Sequence, residues 1–296
     1  GLSLMSEGIG LAWMAEIPLV VIDVQRGGPA TGLPTKTEQS DLFSALHPAH
    51  GDVRIPIIAP GSVEECFYAA MHAVDWAERY QGPVILLSEH ALSERTQNIP
   101  KPSLSKVSVS DRDVYRGSNG YLRYQAKGIS PMPLPGGEAP YIANGSEHDE
   151  WGDTTHLPSV HVHGTERRFG KLELLNDGYY EETDPDAPIV LMPWGGSKGP
   201  TLEALKLLAE RGVDLGFVYT IFLHPLPENL PDKLRAKQLV IVPELNYQGQ
   251  WSSILRSMGI KAESITQYTG LPFRAGELAD SIQNRVQEFR QETVAV

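Results

Sequence analysis

Pro18-Leu-Val-Val-Ile-Asp-Val24 is a nearly continuous β-branched run, and Pro83-Val-Ile-Leu-Leu-Ser88 is another apolar run of the same length class. Runs of this length without polar alternation suit strands covered on both faces, the state of a strand inside a parallel sheet. Between them, Val63, Cys66, Phe67, Ala70, Met71, Val74 and Ala77 fall at helical spacings within Ser62 to Tyr80, which predicts an amphipathic helix. Ser62 is its expected N-cap, and Glu64 and Glu65 sit beside the positive helix end. With Val53 to Ala59 as a further strand, the pattern is that of a doubly wound α/β sheet.

Upstream, Leu4 to Glu16 reads as a helix through Met5, Ile9, Ala12 and Ala15, and a short helix is expected around Glu38 to Leu46. The chain opens inside that first helix, with neither an initiator Met nor a basic signal-peptide region, so sequence upstream of Gly1 is expected. Downstream, residues 98–166 lose the periodicity and read as a long irregular connector. Its aromatic residues, Tyr115, Tyr121, Tyr124, Tyr141 and Trp151, predict an ordered loop packed on something. Arg167 to Asn176 reads as a helix and Gly178 to Ala187 as an acidic hinge. From Pro188, strands at Ile189–Met192, Leu215–Ile221 and Gln238–Pro243 alternate with helices at Thr201–Arg211, Leu226–Ala236, Trp251–Met258 and Gly276–Arg290. This predicts a second doubly wound domain, with domains at 1–185 and 186–296.

Twenty-five Lys and Arg against 37 Asp and Glu give a net charge of −12, a poor surface for duplex nucleic acid. Hydrophobic residues at 41% and charged residues at 21% exclude wholesale disorder. There is no apolar run long enough to span a membrane. One cysteine, Cys66, excludes an internal disulfide and cannot by itself hold an iron–sulfur cluster or a Cys-type zinc site. A cytoplasmic protein is the expectation.

The densest chemical signal is Asp23-Val-Gln-Arg-Gly-Gly-Pro-Ala-Thr-Gly-Leu-Pro-Thr-Lys-Thr-Glu-Gln-Ser-Asp-Leu42. It leaves the carboxyl end of a buried strand, where open α/β sheets place their ligands. Arg26 at its mouth suits a flat, two-bond grip on a carboxylate. Gly27, Gly28 and Gly32 permit close backbone approach, while Thr31 and Thr35 offer hydroxyls. The same composition also fits a Gly-Pro-stiffened crossover carrying a solvent-exposed Arg.

Gly1-Leu-Ser-Leu-Met-Ser-Glu-Gly-Ile-Gly10 and Gln25-Arg-Gly-Gly-Pro-Ala-Thr-Gly-Leu-Pro-Thr-Lys-Thr-Glu-Gln-Ser-Asp-Leu42 closely resemble the alpha subunit of 2-oxoacid:ferredoxin oxidoreductases, nearest to the 2-oxoglutarate type. The resemblance continues through Tyr121-Leu-Arg-Tyr124, Gly128-Ile-Ser-Pro131, Ser146-Glu-His-Asp-Glu150 and Pro193-Trp-Gly-Gly-Ser197; Ala30 departs from the more usual Ser. It implies a partial pyrimidine-binding domain of a thiamine diphosphate enzyme, then a domain like the transketolase C-terminal fold. It implies CoA-dependent oxidative decarboxylation of 2-oxoglutarate, or the reductive reverse, with pyruvate or branched-chain oxoacids as alternative substrates. A beta subunit would share the thiamine diphosphate and carry magnesium and an iron–sulfur cluster, with ferredoxin as electron carrier in a hetero-oligomer. Arg26 matches the family position that binds the substrate carboxylate and Thr35 a nearby hydroxyl. The glutamate that activates the cofactor is expected upstream of Gly1, so no catalytic residue is assigned within the chain, and the fragment alone is expected to be inactive. An Arg26 exposed and remote from any cleft would favour the alternative of a non-catalytic assembly module.

Two further signals rank lower. His148, Asp149, Glu150, His156, His161 and His163 crowd one stretch, but their irregular spacing reads as a solvated polar loop rather than a metal site. Gly195-Gly-Ser-Lys-Gly-Pro200 lies between a strand and a helix but lacks the spacing of a phosphate-binding Walker loop. Trp194 beside it is expected to be a packing residue.

Overall fold

The computed structural model describes residues 1–118, 120–125 and 128–294. The chain runs through α1 (Ser6–Met14), β1 (Leu19–Gln25), α2 (Leu42–Leu46), β2 (Ile57–Ile58), α3 (Val63–Tyr80), β3 (Pro83–Glu89) and α4 (His90–Ser93). The connector holds a small pair, β4 (Val114–Tyr115) and β5 (Met132–Pro133), before α5 (Pro158–Gly170). Then come β6 (Glu181–Thr183), β7 (Ile189–Leu191), α6 (Lys198–Glu210), β8 (Gly216–Tyr219), β9 (Phe222–His224), α7 (Leu230–Arg235), β10 (Leu239–Glu244), α8 (Gln250–Ser257), β11 (Ala262–Thr266) and α9 (Ala275–Val294). The fold class is α/β, as the sequence pattern predicts, with one sheet ordered β1-β3-β2-β9 and another ordered β11-β10-β7-β8-β6. The pairings are parallel except at β9 and β6, each of which joins its sheet antiparallel. β9 crosses to the first sheet and pairs with β2, and Trp76 on α3 stacks on Phe222 at 4.9 Å. One hydrophobic core therefore runs through both sheets.

The central strand and the edge strand part company. β3 is buried along its whole length, whereas β1 exposes Leu19, Ile22 and Val24 and buries only Gln25 fully. β1 is an edge strand paired with β3 alone, so the expectation of cover on both faces is corrected for β1 and holds for β3.

The helix at α3 forms where expected, and Ser62 caps it by accepting the Glu65 amide at 3.2 Å. Its buried stripe is a different one, however: Ala69, Ala73, Trp76, Ala77 and Tyr80 face the sheet, while Phe67 and Val74 point outward. Three alanines let the helix lie close to the strands, and the two large rings fill the remaining space. The expected stripe selected apolar residues by type and missed this close-approach face.

Two other elements depart from expectation, and the connector does not. α5 begins at Pro158, inside the segment read as irregular connector, with Pro at its first position where a missing N–H costs nothing. The acidic hinge contains β6, an edge strand of charged and polar residues. Within the connector, Tyr121 and Tyr124 are buried, and their hydroxyls donate to the carbonyls of Pro131 and Ala15. The connector is thus packed on the first unit, as its aromatics predict.

Candidate substrate-binding site at the meeting of the two sheets

β1 and β3 end side by side, Gln25 in register with Glu89. Gln25 is buried and bridges two segments: its side chain donates to the Ser88 carbonyl at 3.1 Å and accepts the Asp41 amide at 3.0 Å. The chain leaves the sheet at Arg26 and closes a compact loop, with the Gly27 amide bonded to Lys36 and the Leu33 amide to Gly27. Gly32 sits at φ +50, and a Cβ there would lie 2.0 Å from the Gly27 carbonyl oxygen, so only glycine fits. Thr35 holds φ 61, a left-handed conformation uncommon for a β-branched residue.

The structure keeps all five sequence-predicted residues in this loop. Gly27 is buried, while Arg26, Gly28, Thr31 and Thr35 are exposed. Among the described residues Arg26 has no hydrogen-bond or ion-pair partner, so its guanidinium is free to take a ligand. No hydrogen bond among the described residues joins Arg26 to Thr31 or Thr35.

The rear of the loop is clamped to the second unit. Gln39 is fully buried: its amide nitrogen donates to the Trp194 carbonyl at 2.8 Å, and its oxygen accepts the Leu245 amide at 2.9 Å. Asn246 donates to the Gln39 carbonyl, and Gln250 accepts the Phe43 amide and donates to Ser40. Trp194 is completely buried, in line with a packing role. The result is an exposed tip on a rigid base.

Two acids at this end have unusual affinities for protons. Burial, with Asp41 adding repulsion, pushes Asp23 up to about 6, and one of its oxygens has no partner. Burial pushes Glu89 up to about 8, although the Gly196 amide and the Gln39 side chain oppose the shift. Neither group reaches hydrogen-bond geometry, and both Glu89 oxygens stay unpartnered. Glu89 is therefore a neutral acid at pH 7, pressed on the turn that opens α6. A Cβ on Gly196 would lie 1.5 Å from its Oε1.

Sequence reading missed Gln25, Gln39 and Glu89, and ranked low the Gly195–Pro200 turn that holds Gly196. One signal was available for Glu89, a carboxylate directly after the apolar run Pro83 to Ser88; the glutamines carry no such mark. Among the described residues no group of three His, Cys, Asp or Glu converges as a metal site, and His161 and His163 lie on α5 rather than in a loop. Glu147 is held by an ion pair to Arg168 and a hydrogen bond with His161. The donors of the 26–41 loop suit a carboxylate. They do not assemble the cations or metal ligands that a magnesium-bound diphosphate needs.

The family of pyruvate flavodoxin/ferredoxin oxidoreductases, in its thiamine diphosphate-binding part, matches residues 1–166. The chain belongs to this family. It is 35% identical to the 2-oxoglutarate oxidoreductase subunit KorA of Mycobacterium tuberculosis, matching all of this chain and 47% of that protein. The 2-oxoglutarate synthase subunit KorA of Methanothermobacter marburgensis is 30% identical over 97% of this chain and 77% of its own length. Among solved structures, the 2-oxoglutarate:ferredoxin oxidoreductase of Magnetococcus marinus, with 2-oxoglutarate, coenzyme A and succinyl-CoA bound, superposes with a TM-score of 0.89 at 38% identity. That match covers 97% of this chain and 51% of the other. The chain thus spans about half the length of the first of these relatives. Among the described residues no helix is long and apolar enough to cross a membrane.

Proposed function

We propose that this chain is the alpha-subunit portion of a 2-oxoacid:ferredoxin oxidoreductase that converts 2-oxoglutarate, with coenzyme A, to succinyl-CoA and carbon dioxide, or runs the reverse. The observation that carries this reading is the unpartnered Arg26 on a self-closed glycine loop at the carboxyl end of β1, in a chain so similar to a 2-oxoglutarate-binding oxidoreductase. The carbon–carbon cleavage is chemistry that thiamine diphosphate supplies when bound to the whole enzyme. In this reading a beta subunit completes the cofactor site and carries the magnesium and the iron–sulfur cluster, and ferredoxin takes the electrons, in a cytoplasmic hetero-oligomer.

This chain's own part is binding and orientation. Arg26 grips the substrate carboxylate through two parallel N–H bonds, and Thr35, with Thr31, supplies hydroxyls beside it. Gly27 and Gly28 let the backbone approach the bound acid. The clamp at Gln39 keeps the loop's base from moving, so the carboxylate is held before attack rather than merely captured.

A second reading rests on the same exposure: Arg26 open to solvent also fits a docking module without chemistry. The test is reduction of a low-potential dye by the complete alpha chain assembled anaerobically with its partner, with thiamine diphosphate, coenzyme A and a panel of 2-oxoacids. Arg26→Ala is expected to lower kcat/KM for 2-oxoglutarate by roughly 100-fold or more, the scale of a lost charge-assisted pair. Activity unchanged in the variant removes the clamp. No oxoacid-dependent reduction by the cofactor-loaded wild-type complex leaves the docking module.

A further inference from the structure

A cavity of about 290 Å³ lies between α2, the end of β9 and α8, and no residue of the Arg26 loop lines it. Its apolar walls come from both units: Leu42 and Leu46 on α2, Leu223 on β9 and Ile254 on α8. α2 is only five residues long and leaves part of the apolar side of α8 without cover, so Ile254 and Met258 stay half-buried. Phe43, which also lines the cavity, is tied to the start of α8 through its amide, accepted by the Gln250 side chain at 3.0 Å.

The polar part of the wall has one sign. Arg54, His47 and His224 line the cavity, and among the described residues no Asp or Glu does. Arg54 is half-buried and makes no hydrogen bond or ion pair among the described residues. Burial first, then repulsion from Arg54 and His47, pulls His224 down to about 4, so its ring is neutral at pH 7. The permanent charge at the cavity is therefore the guanidinium of Arg54, with all five of its donors unspent. A guanidinium set against apolar side chains gains more from a carboxylate than one in bulk water, because the local dielectric is lower.

We propose that this cavity is a binding site for a small monocarboxylate with an apolar tail. The two oxygens of one carboxylate match the fork of Arg54, and a single negative charge balances it. The tail gains by leaving water for Leu42, Leu46, Leu223 and Ile254. A second carboxylate on the same ligand would press an unpaired charge on those walls, so a dicarboxylate such as 2-oxoglutarate fits poorly. The volume is at the small end of ligand cavities, in keeping with a short chain. Bound there, the ligand joins α2 to α8 where the two units meet. The site shares no residue with the Arg26 loop and does not depend on the substrate reading.

The test is calorimetric titration of hexanoate into the complete alpha chain assembled with its partner, at constant ionic strength. The expected result is saturable binding at one site per alpha chain. Hexanamide, which keeps the tail without the charge, and acetate, which keeps the charge without the tail, are each expected to bind at least tenfold more weakly. Arg54→Met, which keeps an unbranched stem and loses the fork, is expected to weaken hexanoate at least tenfold while oxoacid-dependent dye reduction stays at the wild-type rate. Where Arg54→Met does not assemble, Ser257→Glu serves: this exposed residue lines the cavity and its hydroxyl bonds only within α8, and a carboxylate there is expected to abolish binding. Arg26→Ala is expected to leave hexanoate binding unchanged. Absence of saturable hexanoate binding in the wild type overturns the proposal. So does binding of hexanamide as tight as that of hexanoate, unchanged binding in the cavity variants, or loss of binding in Arg26→Ala.

Discussion

Glu89 and Glu244 occupy the same station in the two sheets. Each is the last residue of a buried strand and each is at most 2% exposed. Glu244 is fully partnered: its oxygens accept the amides of Trp251 at 2.8 Å and Ser252 at 3.0 Å, and the Asn246 side chain at 3.0 Å. Those amides open α8, so the positive end of a helix receives the charge. Glu89 also abuts a turn that leads into a helix, yet neither of its oxygens finds a donor. The difference teaches that burial at a helix start satisfies a carboxylate only when the chain delivers N–H groups within reach. One acid anchors the second sheet through the donors it accepts. The other keeps its proton beside the Arg26 loop.

The largest expected effect is at the anchored acid. Glu244→Ala strands two backbone amides, takes one of its partners from the Asn246 side chain and is expected to destabilise the protein by about 4 kcal/mol. Glu89→Ala, which removes an unsatisfied group, is expected to cost clearly less, as chemical denaturation of the two variants side by side would show. Equal losses would break the comparison.

Next comes Gly196→Ala, whose Cβ would collide with the Glu89 carboxyl group and is expected to cost about 3 kcal/mol. Adding Glu89→Ala should recover much of that loss. A double-mutant cycle measures the recovery, and strict additivity would show that the clash lies elsewhere.

The proton on Glu89 predicts a pH dependence of definite sign. Its pKa is about 8 in the folded protein against an ordinary 4.5, so the native state holds a proton that the unfolded chain has released. Stability therefore falls as pH rises from about 4.5 to about 8 and levels off beyond. Glu89→Gln removes this contribution, so its advantage over the wild type should grow across that window in denaturation series. A constant difference between the two would mean that Glu89 titrates normally. Glu16 has the opposite sign: its depressed pKa supplies stability at neutral pH that is lost only as pH falls from 4.5 through about 2.

The smallest effect marks the baseline. Asp280→Asn breaks a surface pair with Arg211 of 2.7 Å, in which both side chains are largely open to solvent. It should change stability by less than about 1 kcal/mol, and still less at high salt.

Legibility in the sequence followed the range of the interaction. Apolar runs placed β3 and β10, and a serine with two following acids placed the start of α3, because strand burial and capping are encoded within a few residues. The compact loop from Arg26 was legible for the same reason, since its glycines and prolines act locally. The face of α3 was not: choosing between Phe67 or Val74 and Ala73 or Trp76 depends on how closely a helix must approach strands distant in the chain. β1 reads as buried on both faces, and only its place at the sheet edge exposes Ile22 and Val24.

The sequence by itself determined an α/β fold with two mainly parallel sheets, a glycine loop at the end of β1, and the capped helix α3, all from patterns shorter than one element. The tertiary structure alone decided that Gln39 clamps that loop, that Glu89 goes unpartnered while Glu244 is satisfied, and that Arg123 and Arg167 gather around Glu16. Arg123 and Arg167 reach Glu16 from 107 and 151 residues away. At such separations the energy of a charge is set by which groups the fold brings beside it, and no local pattern records that.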